Sequence, residues 1–107
     1  MAFGNYIVLG PAGYQPISAT SSTAVSITIA AASAASATRT DPTFALITPE
    51  TSAIRWRDDG TAPTAAVSGG FPLAVGQTLE YDGPLRNIQF IAQAGTSTVN
   101  VALYRAY

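Results

Sequence analysis

Cysteine, histidine and lysine are all missing from this 107-residue chain. Without cysteine there is no disulfide framework and no thiolate metal site, and the redox compartment stays open. The missing histidine removes the commonest general base and the commonest metal ligand, and the missing lysine removes the Schiff-base nucleophile. All 5 cationic side chains are therefore arginine. Charge of either sign is scarce, at 10% of residues with a net charge of -1, against about 25% charged residues in ordinary soluble domains. A surface so poor in charge is weakly protected against association, which points to a chain that lives inside an assembly. The same balance gives no basic surplus, so no nucleic-acid partner is expected.

Long apolar runs are absent as well. The longest near the start, Tyr6-Ile7-Val8-Leu9, is too short for a secretory core and lacks basic residues before it. No stretch reaches the length of a membrane-spanning helix. The expectation is a protein made and assembled in a cytoplasm, with no membrane partner. Large apolar side chains are also few. Hydrophobic content is 48%, but alanine supplies much of it, and Ile, Leu, Val and Phe make up only roughly a fifth of the chain. One domain over residues 1–107 with a thin core is expected, able to gain stability from neighbouring subunits.

Period-two alternation is what the chain does have. Val25-Ser26-Ile27-Thr28-Ile29 and Thr98–Tyr104 alternate cleanly, with Val99, Val101 and Leu103 on one face of the second. Shorter candidates are residues 5–9, 44–48, 54–57, 78–81 and 87–92. Turn chemistry separates them at Gly10-Pro11, Asp58-Asp59-Gly60, Gly69-Gly70, Asp82-Gly83-Pro84 and Gly95-Thr96. Short strands punctuated by Gly and Pro predict an all-β single-domain β-sandwich of jelly-roll-like form. Residues 30–42 begin with Ala-Ala-Ala-Ser and interleave serine and threonine with alanine. These compete with helix by bonding the nearby backbone, and no large side chain anchors the segment. It reads as an exposed loop. Residues 1–15 combine Phe3, Tyr6 and Tyr14 with Gly and Pro, which suits an N-terminal arm, those aromatics being candidate interface residues.

One segment stands out: Ile54-Arg55-Trp56-Arg57-Asp58-Asp59-Gly60-Thr61. In a strand, Ile54 and Trp56 face the core while Arg55 and Arg57 face outward. Asp59-Gly60 is a hairpin signal, since glycine accepts the positive φ of a tight turn, and Pro63 makes a return strand short or peripheral. Arg55, Trp56, Arg57, Asp58 and Asp59 are the candidate binding residues. Glycoside hydrolysis needs two carboxyl groups facing one another across a sugar, whereas adjacent Asp58 and Asp59 tend to point apart. A calcium loop needs alternating acids that Asp58, Asp59 and Thr61 do not provide. No catalytic residue, cofactor or metal is assigned. The simplest reading is a hairpin whose arginine and aspartate side chains pair locally.

The same segment carries a resemblance. Phe44-Ala45-Leu46-Ile47-Thr48-Pro49-Glu50, the run IRWRDDGTAPT at 54–64, and Gly70-Phe71-Pro72-Leu73 resemble a family of small phage and prophage virion structural proteins. Gly76 to Tyr81, Asn87 to Ile91 and Thr98 to Val101 fit the order in which that family continues. The resemblance covers about the last two-thirds of the chain. It implies a β-sandwich virion protein of the capsid-decoration or fibre kind, with no catalytic residues to carry over. The function expected is a capsid decoration (cement) protein in the virion, a homotrimer bracing neighbouring copies of the major capsid protein. The alternative is a tail or head fibre module that binds host surface glycan. Tyr6, Tyr14, Trp56, Tyr81, Tyr104 and Tyr107 would then offer stacking surfaces, though such rings more often simply pack.

Overall fold

Alternate residues of each longer strand point to opposite sides, and this pleat decides which side chains build the interior. The computed structural model describes residues 9–28 and 42–106. Its elements are β1 (Leu9–Thr20), β2 (Val25–Ser26), β3 (Phe44–Pro49), β4 (Ile54–Arg57), β5 (Phe71–Leu73), β6 (Leu79–Tyr81), β7 (Gln89–Ala92) and β8 (Thr96–Ala106). They form two four-stranded sheets, in the orders β1-β8-β3-β6 and β2-β7-β4-β5. All pairings are antiparallel: β1 with β8, β2 with β7, β3 with β6 and β4 with β5. This nesting is a long hairpin rolled over on itself, with β3–β8 and β4–β7 contacts completing the sheets. Among the described residues the eight strands follow the jelly-roll order, one of the ways all-β chains limit their open edges.

Both sheets contribute to one core. Ala45, Ile47, Val99, Val101, Leu103 and Tyr81 come from the first sheet, and Ile54, Leu73 and Phe90 from the second. Ile27, Leu85 and Ile88 close it from the connections. Among the described residues no helix is long and apolar enough to cross a membrane.

At one end the connections are laced by small polar groups. The buried Ser97 Oγ donates to the Ser52 carbonyl at 2.6 Å, Ser52 Oγ donates to the Ala94 carbonyl at 2.9 Å, and Gln93 Nε2 donates to the Ile54 carbonyl at 3.1 Å. Beside β1, the Gln15 side-chain amide takes the place of a strand partner: it donates to the Thr28 carbonyl, and the Thr28 N–H donates to Gln15 Oε1 at 3.0 Å.

Two expectations change. Gly10-Pro11 is not a terminator but lies inside β1, where the register shifts between Pro11 and Gly13. Residues 9–15 of the expected arm are thus a strand of the sandwich. An edge strand tolerates this, because proline's missing N–H costs nothing on the unpaired side. Asp59-Gly60 does not make a tight hairpin either. Gly60 has the positive φ expected of it, at 88°, but β4 and β5 are joined by the long loop 58–70. Pro63 is buried in that loop, which steers the chain away before β5 returns as a short edge strand. The expected arm at 1–8, with Phe3 and Tyr6, and the expected loop at 30–41 lie outside the described residues, as does Tyr107 as a contact surface.

Candidate functional site

The end of the sandwich opposite the serine lacing opens between the end of β4 and the start of β5. Trp56 and Phe71 sit directly opposite each other in the β4–β5 register. Their rings lie 5.1 Å apart at 32°. Trp56 also meets Tyr81 edge-on, at 6.0 Å and 70°, so the three rings form a ladder from the core to solvent. Tyr81 is buried, Trp56 half-buried and Phe71 64% exposed.

Tyr81 is the buried foot of this ladder. Its hydroxyl donates to Asp58 Oδ2 at 2.9 Å and lies 3.3 Å from the Pro84 carbonyl. Burial pushes its ionisation well above the ordinary tyrosine range, and the neighbouring carboxylates of Asp58 and Asp82 add to the shift. The backbone closes tightly over the ring: a Cβ at Gly83 would lie 2.6 Å from the Tyr81 oxygen, closer than side-chain atoms approach.

Above the ladder, Arg57 and Asp59 form a two-pronged ion pair. Arg57 Nε donates to Asp59 Oδ1 at 3.0 Å and Nη2 donates to Oδ2 at 2.5 Å. Asp59 Oδ1 also accepts the Thr61 N–H at 3.3 Å. The hydrogen bonds from Arg57 hold the Asp59 carboxyl below the usual carboxylate range, and Asp59 in turn raises Arg57. Arg55 works differently. It reaches the Ala65 carbonyl through Nε at 3.4 Å and the Gly70 carbonyl through Nη1 at 3.3 Å, tying loop 58–70 to β4.

That loop is itself ordered by backbone bonds, from Gly69 N–H to the Ala66 carbonyl at 2.8 Å and from Thr64 N–H to the Gly69 carbonyl at 2.9 Å. The first closes a four-residue turn with Ser68 at its third position. Ser68 has φ of 66°, the one non-glycine residue with positive φ among the described residues, at a turn position where glycine is the usual choice.

Together Arg57, Asp58, Asp59, Ser68, Gly70 and Phe71 line an open cleft of about 370 Å³. The structure therefore brings Arg57, Asp58 and Asp59 to one cleft. Trp56 lies beneath its Phe71 wall, and Arg55 acts on the loop that shapes it. Ser68 and Phe71 belong to the same cleft and were not anticipated. Proline at 72 hid the return strand, and only the Trp56–Phe71 register reveals the pairing. Tyr14 lies elsewhere, on the outer face of β1, where its hydroxyl donates to Asn100 Oδ1 at 2.6 Å. Among the described residues no group of three or more acidic, cysteine or histidine side chains could hold a metal ion.

Fold and site thus define a jelly-roll domain with a hydrogen-bonded cleft, part aromatic and part polar, at one end. No family model, curated protein or solved structure matches the chain.

Proposed function

We propose that the chain is a virion shell protein of the decoration class, which sits as a homotrimer on a lattice of major capsid protein and braces its neighbours. One observation carries this reading: the outer face of the β1-β8-β3-β6 sheet is built mainly from apolar and uncharged side chains, with Glu80 at its β6 edge. Sandwich sheets ordinarily turn apolar residues inward and polar ones to water. Here the outward positions include Phe44 and Leu46 of β3, Ala102 and Tyr104 of β8, and Tyr14 of β1. Tyr14, Ala102, Leu46 and Glu80 lie in one row across the four strands. The Phe44 and Tyr104 rings are 6.1 Å apart in the next. Tyr14 is exposed while Phe44, Leu46, Ala102 and Tyr104 are half-buried, and apolar side chains turned outward in this way suit a contact with another macromolecule. The scarcity of charge in the chain supports the same reading, and the resemblance read from the sequence motifs between residues 44 and 101 is in keeping with it.

Shell binding is tested by adding purified protein to expanded, undecorated capsids and sedimenting them, with native mass spectrometry for the oligomer. Saturable co-sedimentation at a fixed ratio to capsid subunits is expected. A virion reconstruction that places the chain on a tail or fibre overturns the proposal.

A further inference from the structure

We infer that the cleft between β4 and β5 is a binding site for neutral carbohydrate, an activity separate from the shell role and independent of it. At about 370 Å³, the cleft is near the lower end of the roughly 300–1,000 Å³ typical of small-ligand sites. It has room for a mono- or disaccharide unit at the end of a longer glycan. The lining matches what a sugar ring presents. A pyranose has a face of C–H groups that packs on an aromatic ring, and Phe71 offers a ring that is 64% exposed and backed by Trp56. Around that face a sugar carries hydroxyls that both donate and accept. The cleft answers with the carboxylates of Asp58 and Asp59, the guanidinium of Arg57 and the hydroxyl of Ser68.

Charge decides against anionic ligands. One arginine faces two carboxylates, and that arginine already spends two N–H groups on Asp59. A phosphate or sialic acid carboxylate would meet net negative charge. A hydroxyl does not, and a carboxylate already fixed by a planar arginine partner is a well-oriented acceptor for it. Asp59 is oriented further by the Thr61 N–H and Asp58 by the Tyr81 hydroxyl, so neither has to be ordered by the ligand. The opposite wall is equally set, by the Arg55 bonds to loop 58–70 and by the turn that holds Ser68 in its left-handed conformation. Preorganisation lowers the ordering cost that makes shallow sites weak.

The chain's single tryptophan stacks under Phe71, so its fluorescence reports on the cleft without a label. The experiment has two arms. A glycan array with neutral hexose- and N-acetylhexosamine-terminated oligosaccharides beside sialylated ones finds the ligand class. Titration of the best neutral saccharide against Trp56 fluorescence then measures affinity for wild type, Phe71→Ala, Phe71→Tyr and Asp59→Asn. Neutral glycans are expected to bind and sialylated ones to fail. Phe71→Ala and Asp59→Asn each weaken binding about tenfold or more, while Phe71→Tyr retains it. Because Phe71 is mostly in solvent, loss in Phe71→Ala with an unchanged melt is a site effect. Absence of any neutral glycan on the array overturns the inference, as does a preference for sialylated glycans or equal affinity in Phe71→Ala. Shell co-sedimentation of Phe71→Ala is read in parallel: it is expected to match wild type, so a failed cleft and a failed shell reading give different results.

Discussion

The Tyr81 hydroxyl donates a 2.9 Å hydrogen bond to Asp58 Oδ2, and through it the last residue of β6 in one sheet holds the residue just past β4 in the other. The bond clasps the sandwich at its open end, where the serine and glutamine lacing of the other end is not available. A hydrogen bond to a charged group contributes about 1.5–3 kcal/mol, and Asp58 is partly exposed, so Tyr81→Phe is expected to cost about 1.5 kcal/mol, toward the low end of that range. Urea denaturation near neutral pH measures it.

The same hydroxyl gives a pH dependence with a definite sign. Its ionisation is raised above the ordinary tyrosine value of about 10. Below that value both folded and unfolded chains hold the proton, and stability is at its full level. As pH rises above about 10 the unfolded chain releases a proton that the folded chain keeps, so stability falls. Lysine is absent from the sequence, so no side-chain ammonium titrates in this window, and the remaining tyrosines are common to wild type and Tyr81→Phe. Denaturation midpoints between pH 8 and pH 11 are expected to fall more steeply for wild type than for Tyr81→Phe. Parallel curves would show that Tyr81 ionises freely in the folded protein.

Gly83 controls how tightly the clasp closes. A Cβ there would stand 2.6 Å from the Tyr81 oxygen and 2.8 Å from Cζ. The backbone at this glycine is not in the left-handed region, so alanine is strained only by that contact. Gly83→Ala is expected to displace the ring and cost about 1–3 kcal/mol, the usual range for overpacking. Thermal melts of the variant check it, and an unchanged melt would mean that the 82–88 connection gives way freely.

Sequence patterning made the central strands legible and the edges obscure. Ala45 and Ile47 in β3, and Val99, Val101 and Leu103 in β8, alternate because one side of each strand is buried. That alternation is readable from residue types alone. β1 and β5 are edge strands carrying Pro11, Pro16 and Pro72, and proline reads as a break although an unpaired edge accommodates it. At the cleft, Arg57 and Asp59 are two residues apart, so their local pairing was accessible from the sequence. The Asp58–Tyr81 and Trp56–Phe71 contacts come from strand register, which the nested jelly-roll order sets and local pattern does not. Loop 58–70 was misread for a related reason: Asp59-Gly60 supplies the positive φ of a tight turn, but buried Pro63 and the Arg55 bonds to the Ala65 and Gly70 carbonyls keep the chain away from an immediate return.

Burial ranks two aromatic truncations. Phe90, in the middle of the β2-β7-β4-β5 sheet, is fully buried, and Phe90→Ala is expected to cost about 3–5 kcal/mol. Trp56 is larger but only half-buried beside the cleft, so Trp56→Ala is expected to cost less, about 2–3 kcal/mol by the same scaling. The order of the two denaturation midpoints is the check. A Trp56 variant less stable than the Phe90 variant would place the weight of the core at the open end.

Leu46 separates the fold from the assembly. It sits on the outer face of β3, opposite Ala102 on β8 and Glu80 on β6. Leu46→Arg puts a charge in the middle of the apolar face while giving Glu80 an opposite-charge neighbour across the strand. Such cross-strand pairs contribute about 0.2–1 kcal/mol and offset the loss of the half-buried Leu46 side chain, so the isolated domain is expected to melt within about 2–4 °C of wild type, the shift that a change of about 0.5 kcal/mol gives. A contact that buries this face responds differently, because the arginine must be desolvated without a partner on the facing surface. Co-sedimentation with undecorated capsids, and the homo-oligomer by native mass spectrometry, are therefore expected to be lost in Leu46→Arg and kept in Ser18→Arg. Ser18 lies on the same strand face as Tyr14 and opposite Thr98, at the hydroxyl-rich end of the sheet. If both variants bind shells as wild type does, the outer face is not the contact surface; if both fail, the contact extends over the whole sheet and is not confined to its apolar half.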